Sequence, residues 1–313
     1  MARKRRSALG ILIRLLALLL IAGGAAFYLL TIPSTLPPSA LPPRTADVGN
    51  GETMFHAGGC ASCHATPGQE DKARLGGGLE LKTDYGTFHT PNISPDPQHG
   101  IGGWSEIEFV NAMLRGIGRN GEHLYPSFPF TSYQRMELDD VRDLFAFIKT
   151  LPAEAKTSMP HELQFPFNKR RALGLWKLIY LDGKSFEPNA ARDSALNRGA
   201  YLVEGPGHCA ECHSARDAFG GIIPERRFAG GPNPAGKGWV PNITPHEDGL
   251  ASWSAGDIAY LLESGFTPEY DSVGSSMADV VANTAKLSVD DRAAIAAYLK
   301  SLPPRPGKRQ KTE

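Results

Sequence analysis

Two copies of one five-residue pattern constrain this chain more than any other feature. Residues 60–64 and residues 209–213 both read C-x-x-C-H, and together they contain all four cysteines. Two thiols three positions apart can form thioethers with the two vinyl groups of one porphyrin, while the adjacent histidine ligates the iron. The sequence therefore predicts two covalently bound haem c groups. Their attachment residues and proximal iron ligands would be Cys60, Cys63, His64, Cys209, Cys212 and His213.

A structural zinc site is the alternative use of such cysteines. Zinc-binding C-x-x-C pairs usually lie about 12 to 20 residues from their partner pair, whereas these two pairs are 149 residues apart. Zinc also gives no reason for a histidine directly after each pair. We therefore favour haem, and a cytosolic redox-active C-x-x-C is less favoured still.

The charge balance argues against one class of partner. The 313 residues include 33 basic and 33 acidic side chains, so the formal net charge is +0. A nucleic-acid-binding domain is normally strongly basic, and we expect no nucleic-acid partner. Because all four cysteines are assigned to haem, no disulfide is available, and stability must come from packing around the porphyrins.

The N-terminus has the composition of a signal anchor. Residues 1–6 are strongly basic, and residues 8–32 form an apolar run whose only charge is Arg14. A spanning helix needs about 20 apolar residues, whereas a signal peptide has an apolar core of about 7 to 15. The length favours an uncleaved single-pass anchor in the inner (cytoplasmic) membrane, and the basic flank places the haem domains in the periplasm. Cleavage near Ala25 or Ala40 is the alternative, and it also exports these domains.

The rest of the chain contains an internal duplication with a period near 150 residues, a signal of repeated modules. Residues 91–95 read PNISP and recur as PNITP at residues 241–245. Each copy begins with its C-x-x-C-H, so the repeat unit is one haem module. We expect six segments: a signal anchor, a proline-rich spacer that holds the globular part off the membrane, a first cytochrome c domain, a bridging segment, a second cytochrome c domain and a basic tail. Their predicted boundaries are 1–32, 33–46, 47–153, 154–194, 195–304 and 305–313.

The periodicity of the last helix in each module favours helical domains. Ile295, Tyr298, Leu299 and Leu302 are spaced i, i+3, i+4 and i+7, which places them on one face of a helix. Residues 288–291 read Ser-Val-Asp-Asp, a capping-box pattern that begins this helix. The first module repeats the spacing one period earlier. We therefore predict an all-α fold with two tandem cytochrome c-like haem domains behind an N-terminal transmembrane helix.

The bridging segment contains one further predicted helix. Residues 173–181 are apolar on most faces and follow the basic residues 169–171. We predict a helix buried between the two domains. A membrane-surface or partner-docking helix is the alternative.

Haem iron in an electron carrier also needs a second axial ligand, and methionine is a common choice because it raises the reduction potential. In the second module the candidate is Met277, which is flanked by small residues in the loop before the closing helix. A methionine in that setting has little core to fill, so an ordinary packing role is less favoured.

Six further segments share a pattern with one known family. They are residues 90–95, 100–105, 123–126, 165–168, 197–203 and 207–209. On these segments the chain resembles the dihaem cytochrome c subunits of membrane-bound dehydrogenases. These are related to the cytochrome c subunits of alcohol and gluconate dehydrogenases and of molybdenum-containing aldehyde dehydrogenases. The resemblance covers residues 51–303.

The sequence departs from the family pattern in two places. The alcohol dehydrogenase subunits have a third C-x-x-C-H module, so this chain resembles the two-haem branch. They also place a methionine ligand after Tyr-Pro, whereas residues 125–129 here read Tyr-Pro-Ser-Phe-Pro, and Phe128 cannot bind iron. The sixth ligand of the first haem is left open among Met113, His123, Met136 and an empty coordination position. Met113 is the candidate we carry forward, and Met136 is interpreted as a packing residue. The two haems would then differ in axial ligation and in potential.

The resemblance implies an electron-transfer subunit with no substrate site of its own, and not an enzyme. Electrons would arrive from a dehydrogenase catalytic subunit of molybdenum or quinoprotein type, which must be another polypeptide, and leave toward quinone or a terminal oxidase of the respiratory chain. The alternative is a dihaem cytochrome c peroxidase-like enzyme, because the missing methionine at Phe128 is compatible with an open haem face. A free electron shuttle is disfavoured by the membrane anchor.

Overall fold

The computed structural model describes residues 2–234, 236 and 238–307, with side chains from residue 8 onward, and this part of the chain is mostly helical. Most of the expected basic tail lies outside the described residues, as does Met1. The helices are α1 (Ala2–Leu30), α2 (Val48–Ala57), α3 (Cys60–His64), α4 (Glu106–Arg115), α5 (Phe130–Tyr133), α6 (Leu138–Ile148), α7 (Leu173–Tyr180), α8 (Ser194–Glu204), α9 (Cys209–Cys212), α10 (Ala255–Ser264), α11 (Ser276–Thr284) and α12 (Val289–Ser301). Short 3-10 helices lie at Pro38–Ala40, Arg170–Ala172 and Pro224–Arg226.

The same helix arrangement occurs twice along the chain. In the first half α2 packs across α6, and in the second half α8 packs across α12. Each crossing is made at a glycine: a Cβ added at Gly51 would lie 2.1 Å from the carbonyl oxygen of Asp143, and one at Gly199 would lie 1.9 Å from that of Ala294. Backbones can approach this closely only where the side chain is absent.

Local sequence explains how the third helix of each half begins and ends. In α4 the N–H of Ser105 donates to Glu108 Oε2 at 2.7 Å, and in α10 that of Ser254 donates to Asp257 Oδ2 at 2.8 Å. Both are capping boxes, which satisfy N–H groups that have no partner within the helix. Both helices end at a glycine with positive φ, at Gly116 and Gly265.

The predicted closing helix is confirmed. It runs over Val289–Ser301 as α12, and the N–H of Asp291 donates to Ser288 Oγ at 3.0 Å, as the capping pattern requires. Ile295, Tyr298 and Leu299 are buried in the hydrophobic core. The stripe is therefore a packing face.

The all-α expectation is only partly correct, because two small sheets are present. The strands are β1 (Glu80–Thr83), β2 (Gly86–His89), β3 (Glu162–Leu163), β4 (Gly231–Pro232) and β5 (Trp239–Val240). The first sheet has the antiparallel order β1-β2-β3, with Thr83 opposite Gly86 at the turn and Gly86 opposite Leu163. β4 pairs antiparallel with β5, and Gly231 lies opposite Val240. Strands β1, β2, β4 and β5 lie in the long loops that follow the C-x-x-C-H turns, and β3 lies in the bridging segment after α6. The helical period gave no signal for strands in these segments.

The N-terminal helix is exposed and apolar, as expected for an anchor. One stretch of α1, Ala8–Leu30, has 23 residues with a mean hydropathy of 2.3, and none of it is buried. By length and composition it is able to cross a membrane. A signal sequence near an N-terminus meets the same criterion.

Residues 33–46, predicted as a spacer between membrane and body, contact the globular part along their length. The N–H of Leu36 donates to Asn111 Oδ1 at 2.7 Å, and Arg44 pairs with Asp143 at 2.7 Å. Thr31, directly after α1, is fully buried. These contacts hold the segment along the first half of the globular part, and that part begins at the end of α1.

The bridging helix is also not buried between two domains as predicted. Only Gly174 and Lys177 of α7 are buried, whereas Leu175, Leu178 and Ile179 are exposed. A Cβ added at Gly174 would lie 2.6 Å from Thr31 Cα, so α7 packs directly on the end of α1. A sequence that is apolar on most faces does not reveal which face is covered.

Candidate functional site

The first C-x-x-C-H forms a single helical turn. Cys60, Cys63 and His64 all lie within α3, so the two thiols are one turn apart and the histidine closes the turn. Burial raises the pKa of Cys60 to about 12 and that of Cys63 to about 11. The site favours uncharged sulfur, which suits a thioether better than a metal-bound thiolate.

The imidazole of His64 is oriented by a backbone carbonyl. Its Nδ1 lies 2.8 Å from the oxygen of Pro91. A carbonyl can only accept, so Nδ1 carries the proton and Nε2 keeps its lone pair for a metal. Burial lowers the pKa of His64, with the bond to Pro91 opposing it, and the neutral ring is the form that ligates iron.

The second motif repeats this geometry. Cys209 and Cys212 bound α9, His213 follows it, and His213 Nδ1 lies 2.8 Å from the carbonyl oxygen of Pro241. Burial raises the pKa of Cys209 to about 12 and lowers that of His213. Both motifs therefore present two thiols and an imidazole with a free Nε2, the donor set that covalent haem c requires.

The PNISP and PNITP segments supply these carbonyls and are themselves held by buried asparagines. In the first half Asn92 Nδ2 donates to the carbonyl of Glu154 at 2.7 Å. In the second half Asn242 Nδ2 donates to that of Arg305 at 2.8 Å, and Asn242 Oδ1 accepts from the N–H of Thr244 at 2.8 Å. Each asparagine ties the histidine-orienting loop to the chain that follows the last helix of its half. This explains why the pattern recurs with each C-x-x-C-H.

The two motifs lie next to each other. His208, directly before Cys209, places its Nε2 3.2 Å from the carbonyl oxygen of Gly58, two residues before Cys60. The pKa of Cys63, raised mainly by burial, is raised further by Cys212 of the other motif.

The turn of each motif also contacts the other half of the chain. Asn283 in α11 donates to Ser62 Oγ in α3 at 3.1 Å. In the reverse direction Thr131 and Ser132, both in α5, donate to Glu211 Oε1 in α9 at 2.7 and 2.9 Å. These reciprocal bonds fix the relative position of the two turns.

Glu211 is a functional candidate that the sequence did not indicate. It occupies a variable position of its motif and is buried. Burial alone would raise its pKa, but Arg216 at 2.7 Å and the hydroxyls of Thr131 and Ser132 outweigh this and hold the pKa below its ordinary value. A carboxylate paired in this way stays ionised and keeps its three hydrogen-bonded partners in place.

The candidate second ligands lie in different surroundings. Met277 is half-buried against the core in the first turn of α11, and not in a loop as predicted. Met113 is buried in α4. Phe128, at the position where the family places a methionine, packs on Tyr133 with ring centroids 5.3 Å apart.

The remaining two candidates already have structural roles. His123 Nε2 lies 2.9 Å from the carbonyl oxygen of Thr31, so this nitrogen is the donor in a contact with the end of α1 and is not free for iron. Burial lowers the pKa of His123. Met136 is fully buried in the core, in agreement with its interpretation as a packing residue.

The zinc alternative finds no support in the described residues. Among positions 2–234, 236 and 238–307, no three histidine, cysteine or acidic side chains form a group able to hold a metal ion. The four thiols are not joined in disulfides.

Comparison with known proteins gives a consistent set of relatives. A family model described as cytochrome c matches residues 48–152. The chain is 52% identical over 290 residues to a diheme cytochrome c-type protein of Cereibacter sphaeroides, covering 92% of this chain and 96% of the relative. It is 38% identical over 275 residues to the cytochrome c subunit of a quinone-type alcohol dehydrogenase of Gluconacetobacter polyoxogenes, covering 84% of this chain and 57% of the relative.

A third relative is longer still. The chain is 35% identical over 273 residues to a subunit of the nicotinate dehydrogenase of Pseudomonas putida, covering 87% of this chain but only 22% of the relative. The chain therefore spans nearly all of the first relative but little more than half of the second and about a fifth of the third.

Proposed function

Because this chain belongs to the family of dihaem c-type cytochromes, we propose that it is the electron-transfer subunit of a membrane-bound dehydrogenase. Its two covalent haem c groups would receive electrons from a separate catalytic subunit of molybdenum or quinoprotein type and deliver them to quinone or a terminal oxidase. Relatives named as subunits of alcohol, gluconate and nicotinate dehydrogenases support this role. No relative among these favours the peroxidase alternative.

The proposal rests on one observation, the repeated histidine–carbonyl contact. His64 with Pro91 and His213 with Pro241 have the same 2.8 Å contact, and each histidine directly follows a C-x-x-C pair. Bound haem supplies reversible one-electron chemistry at iron. Each histidine would hold its Nε2 toward the iron, and each carbonyl would fix the proton on Nδ1. Cys60 with Cys63, and Cys209 with Cys212, would hold the porphyrins covalently.

We assign one haem module to residues 47–153 and the other to residues 195–304. The repeated helix crossings, α2 on α6 and α8 on α12, support this division, and the asparagine contacts reach Glu154 and Arg305, one residue beyond each module. Met277 is the proposed second iron ligand of the second haem, and Met113 that of the first. The contact of His208 with Gly58 and the bonds of Glu211 keep the two modules in one orientation, and this rigidity is what an electron carrier with two adjacent centres requires.

We further propose that α1 anchors the chain in the inner membrane with the haem modules in the periplasm. The apolar length of Ala8–Leu30 supports a single crossing. The basic residues ahead of it support a cytoplasmic N-terminus. Attachment of haem c outside the cytoplasm agrees with that orientation.

The test uses the full chain in a host that can attach haem c, purified together with its dehydrogenase partner. Candidate substrates are added without oxygen, and the absorbance of ferrous haem c is followed. We expect a dehydrogenase substrate to reduce both haems, and re-oxidation when a quinone analogue is added. If no dehydrogenase substrate reduces either haem, and a high-spin haem turns over peroxide, the proposal is contradicted and the peroxidase is favoured.

The matched variants change one motif at a time. Cys209→Ser with Cys212→Ser should keep one haem and lose the other, and Cys60→Ser with Cys63→Ser should do the reverse. One of the two variants should still be reduced by substrate and yet fail to pass electrons to quinone.

A further inference from the structure

Helix α7 has two faces of different chemistry. Gly174 and Lys177 point inward, and Lys177 Nζ donates to the carbonyls of Arg115 and Gly116 at 2.8 and 2.6 Å. On the other side Leu175 is 38%, Leu178 62% and Ile179 71% exposed. Their spacing of i, i+3 and i+4 places these three side chains on one face of the helix. An exposed face of this kind usually marks an interaction surface.

The position of this face is fixed beside the end of α1. Thr31, the first residue after that helix, packs on Gly174. Arg171, three residues before Gly174, donates to Thr31 Oγ1 at 2.7 Å and to the carbonyl of Tyr28 at 2.8 Å. Its guanidinium also lies 4.7 Å from the centre of the Tyr28 ring. With α1 crossing the membrane as proposed, its apolar stretch ends at Leu30, and α7 lies beside that end.

The apolar surface extends beyond α7 to a neighbouring loop. Trp176 Nε1 donates to the carbonyl of Phe219 at 3.0 Å, and the Phe219 side chain is 74% exposed. Trp176 also packs on Tyr180 with ring centroids 4.7 Å apart. Tyr180 is held by a 2.7 Å bond from its hydroxyl to Asp217. The loop that carries the exposed Phe219 is therefore tied to α7 through Trp176 and Tyr180.

We propose that this surface, formed by Leu175, Leu178, Ile179 and Phe219, lies in the headgroup and upper acyl region of the bilayer that α1 crosses. The inference rests on the proposed anchoring by α1, and it adds a second, monotopic membrane contact made by the globular part. A lipid surface is the favoured occupant because the apolar face continues from the end of a spanning helix. Exposed Lys169 and the half-buried Arg171 lie just before it, where phosphate headgroups would be. The body would then be held at a fixed height and tilt, with its haem modules close to the membrane.

Photocrosslinking of the full chain in vesicles tests this. The variant Leu178→p-benzoylphenylalanine is reconstituted with phosphatidylethanolamine and phosphatidylglycerol, irradiated, and examined by mass spectrometry for lipid adducts. The matched control places the same residue at Tyr260, a helical site in α10 that is 56% exposed. A second variant, Ile179→p-benzoylphenylalanine, replaces the first if that one does not fold. Retention of both haems shows that a variant has folded.

We expect lipid adducts at position 178 or 179 and only background at position 260. No adduct at 178 and 179 in chains that still float with the vesicles would overturn the inference and leave anchoring by α1 intact. A crosslink from 178 to a co-purified dehydrogenase subunit, with no lipid adduct, would overturn it in favour of a protein partner. Chains that do not float at all would overturn both the anchoring and this inference, while reduction by the dehydrogenase would still test the electron-transfer role separately.

Discussion

Replacing Gly199 with alanine tests the close helix crossing around which each half of the chain is built. An added Cβ would meet the carbonyl oxygen of Ala294 at 1.9 Å and its carbonyl carbon at 2.4 Å. Favourable contacts begin at about 3.5 Å, so α8 and α12 would have to separate by about 1.5 Å. The clash is with backbone, and no side-chain rotation relieves it.

The expected cost follows from that overlap. Overpacking a core costs about 1–3 kcal/mol, or more where the backbone must move. Alanine returns about 1 kcal/mol of helix propensity, which offsets part of the cost. Because the clash is with backbone, we take the cost at the upper end, about 3 kcal/mol, and expect Gly199→Ala to lower the free energy of unfolding by about 2 kcal/mol after the offset. The Tm should fall by about 4–8 °C at about 2–4 °C per kcal/mol.

Thermal unfolding of the haem-loaded full chain in detergent, followed by haem absorbance, measures this loss. Gly256→Ala is the matched control, because Gly256 is also helical and its nearest contact is Ser254 Oγ at 3.5 Å. That variant should be as stable as the native chain or more stable, by up to about 1 kcal/mol. If Gly199→Ala is no less stable than Gly256→Ala, the crossing is looser than described and the reasoning fails.

Three further predictions concern the loops, the iron ligands and pH. Asn242→Ala should lower the free energy of unfolding by about 2–4 kcal/mol in denaturant titrations, since the carbonyl of Arg305 and the N–H of Thr244 lose their buried partner; an unchanged midpoint would contradict this. Met277→Leu should remove the methionine-ligated optical and EPR signature of one haem only, and two unchanged signatures would refute that ligand. Burial lowers the pKa of Lys177 to about 7, whereas the unfolded side chain titrates near about 10.4. The unfolded state therefore binds more protons between these values, and the contribution of Lys177 to stability rises with pH across that window. The difference in unfolding free energy between native chain and Lys177→Met, measured from pH 7 to 9, should show this slope, and a flat difference would contradict it.

The sequence was most informative where the chemistry is local. Neighbouring residues determine the C-x-x-C-H turns, the apolar stripe of α12 and its cap at Ser288. The structure confirms the helical turn at Cys60–His64 and the capped helix α12. The recurrence of the PNISP segment marked a module, but its reason became visible only when Asn92 was found bonded to Glu154, 62 residues away.

The expectations for residues 33–46 and for α7 failed at contacts between distant segments. Nothing in residues 33–46 indicates that Leu36 bonds to Asn111, so the proline-rich composition could not show that this segment packs on the globular part. Helix α7 is apolar on most faces, and composition could not say which face is covered. Glu211 is buried by partners 79 and 80 residues earlier in the chain, which no local pattern reveals.

Peptide mass spectrometry of the mature chain, expressed in a host that can attach haem c, tests the central claim most directly. Two haem-modified peptides are predicted, one containing Cys60 and Cys63 and the other containing Cys209 and Cys212. A preparation that is colourless, or in which either peptide carries free thiols and no porphyrin, would contradict the account.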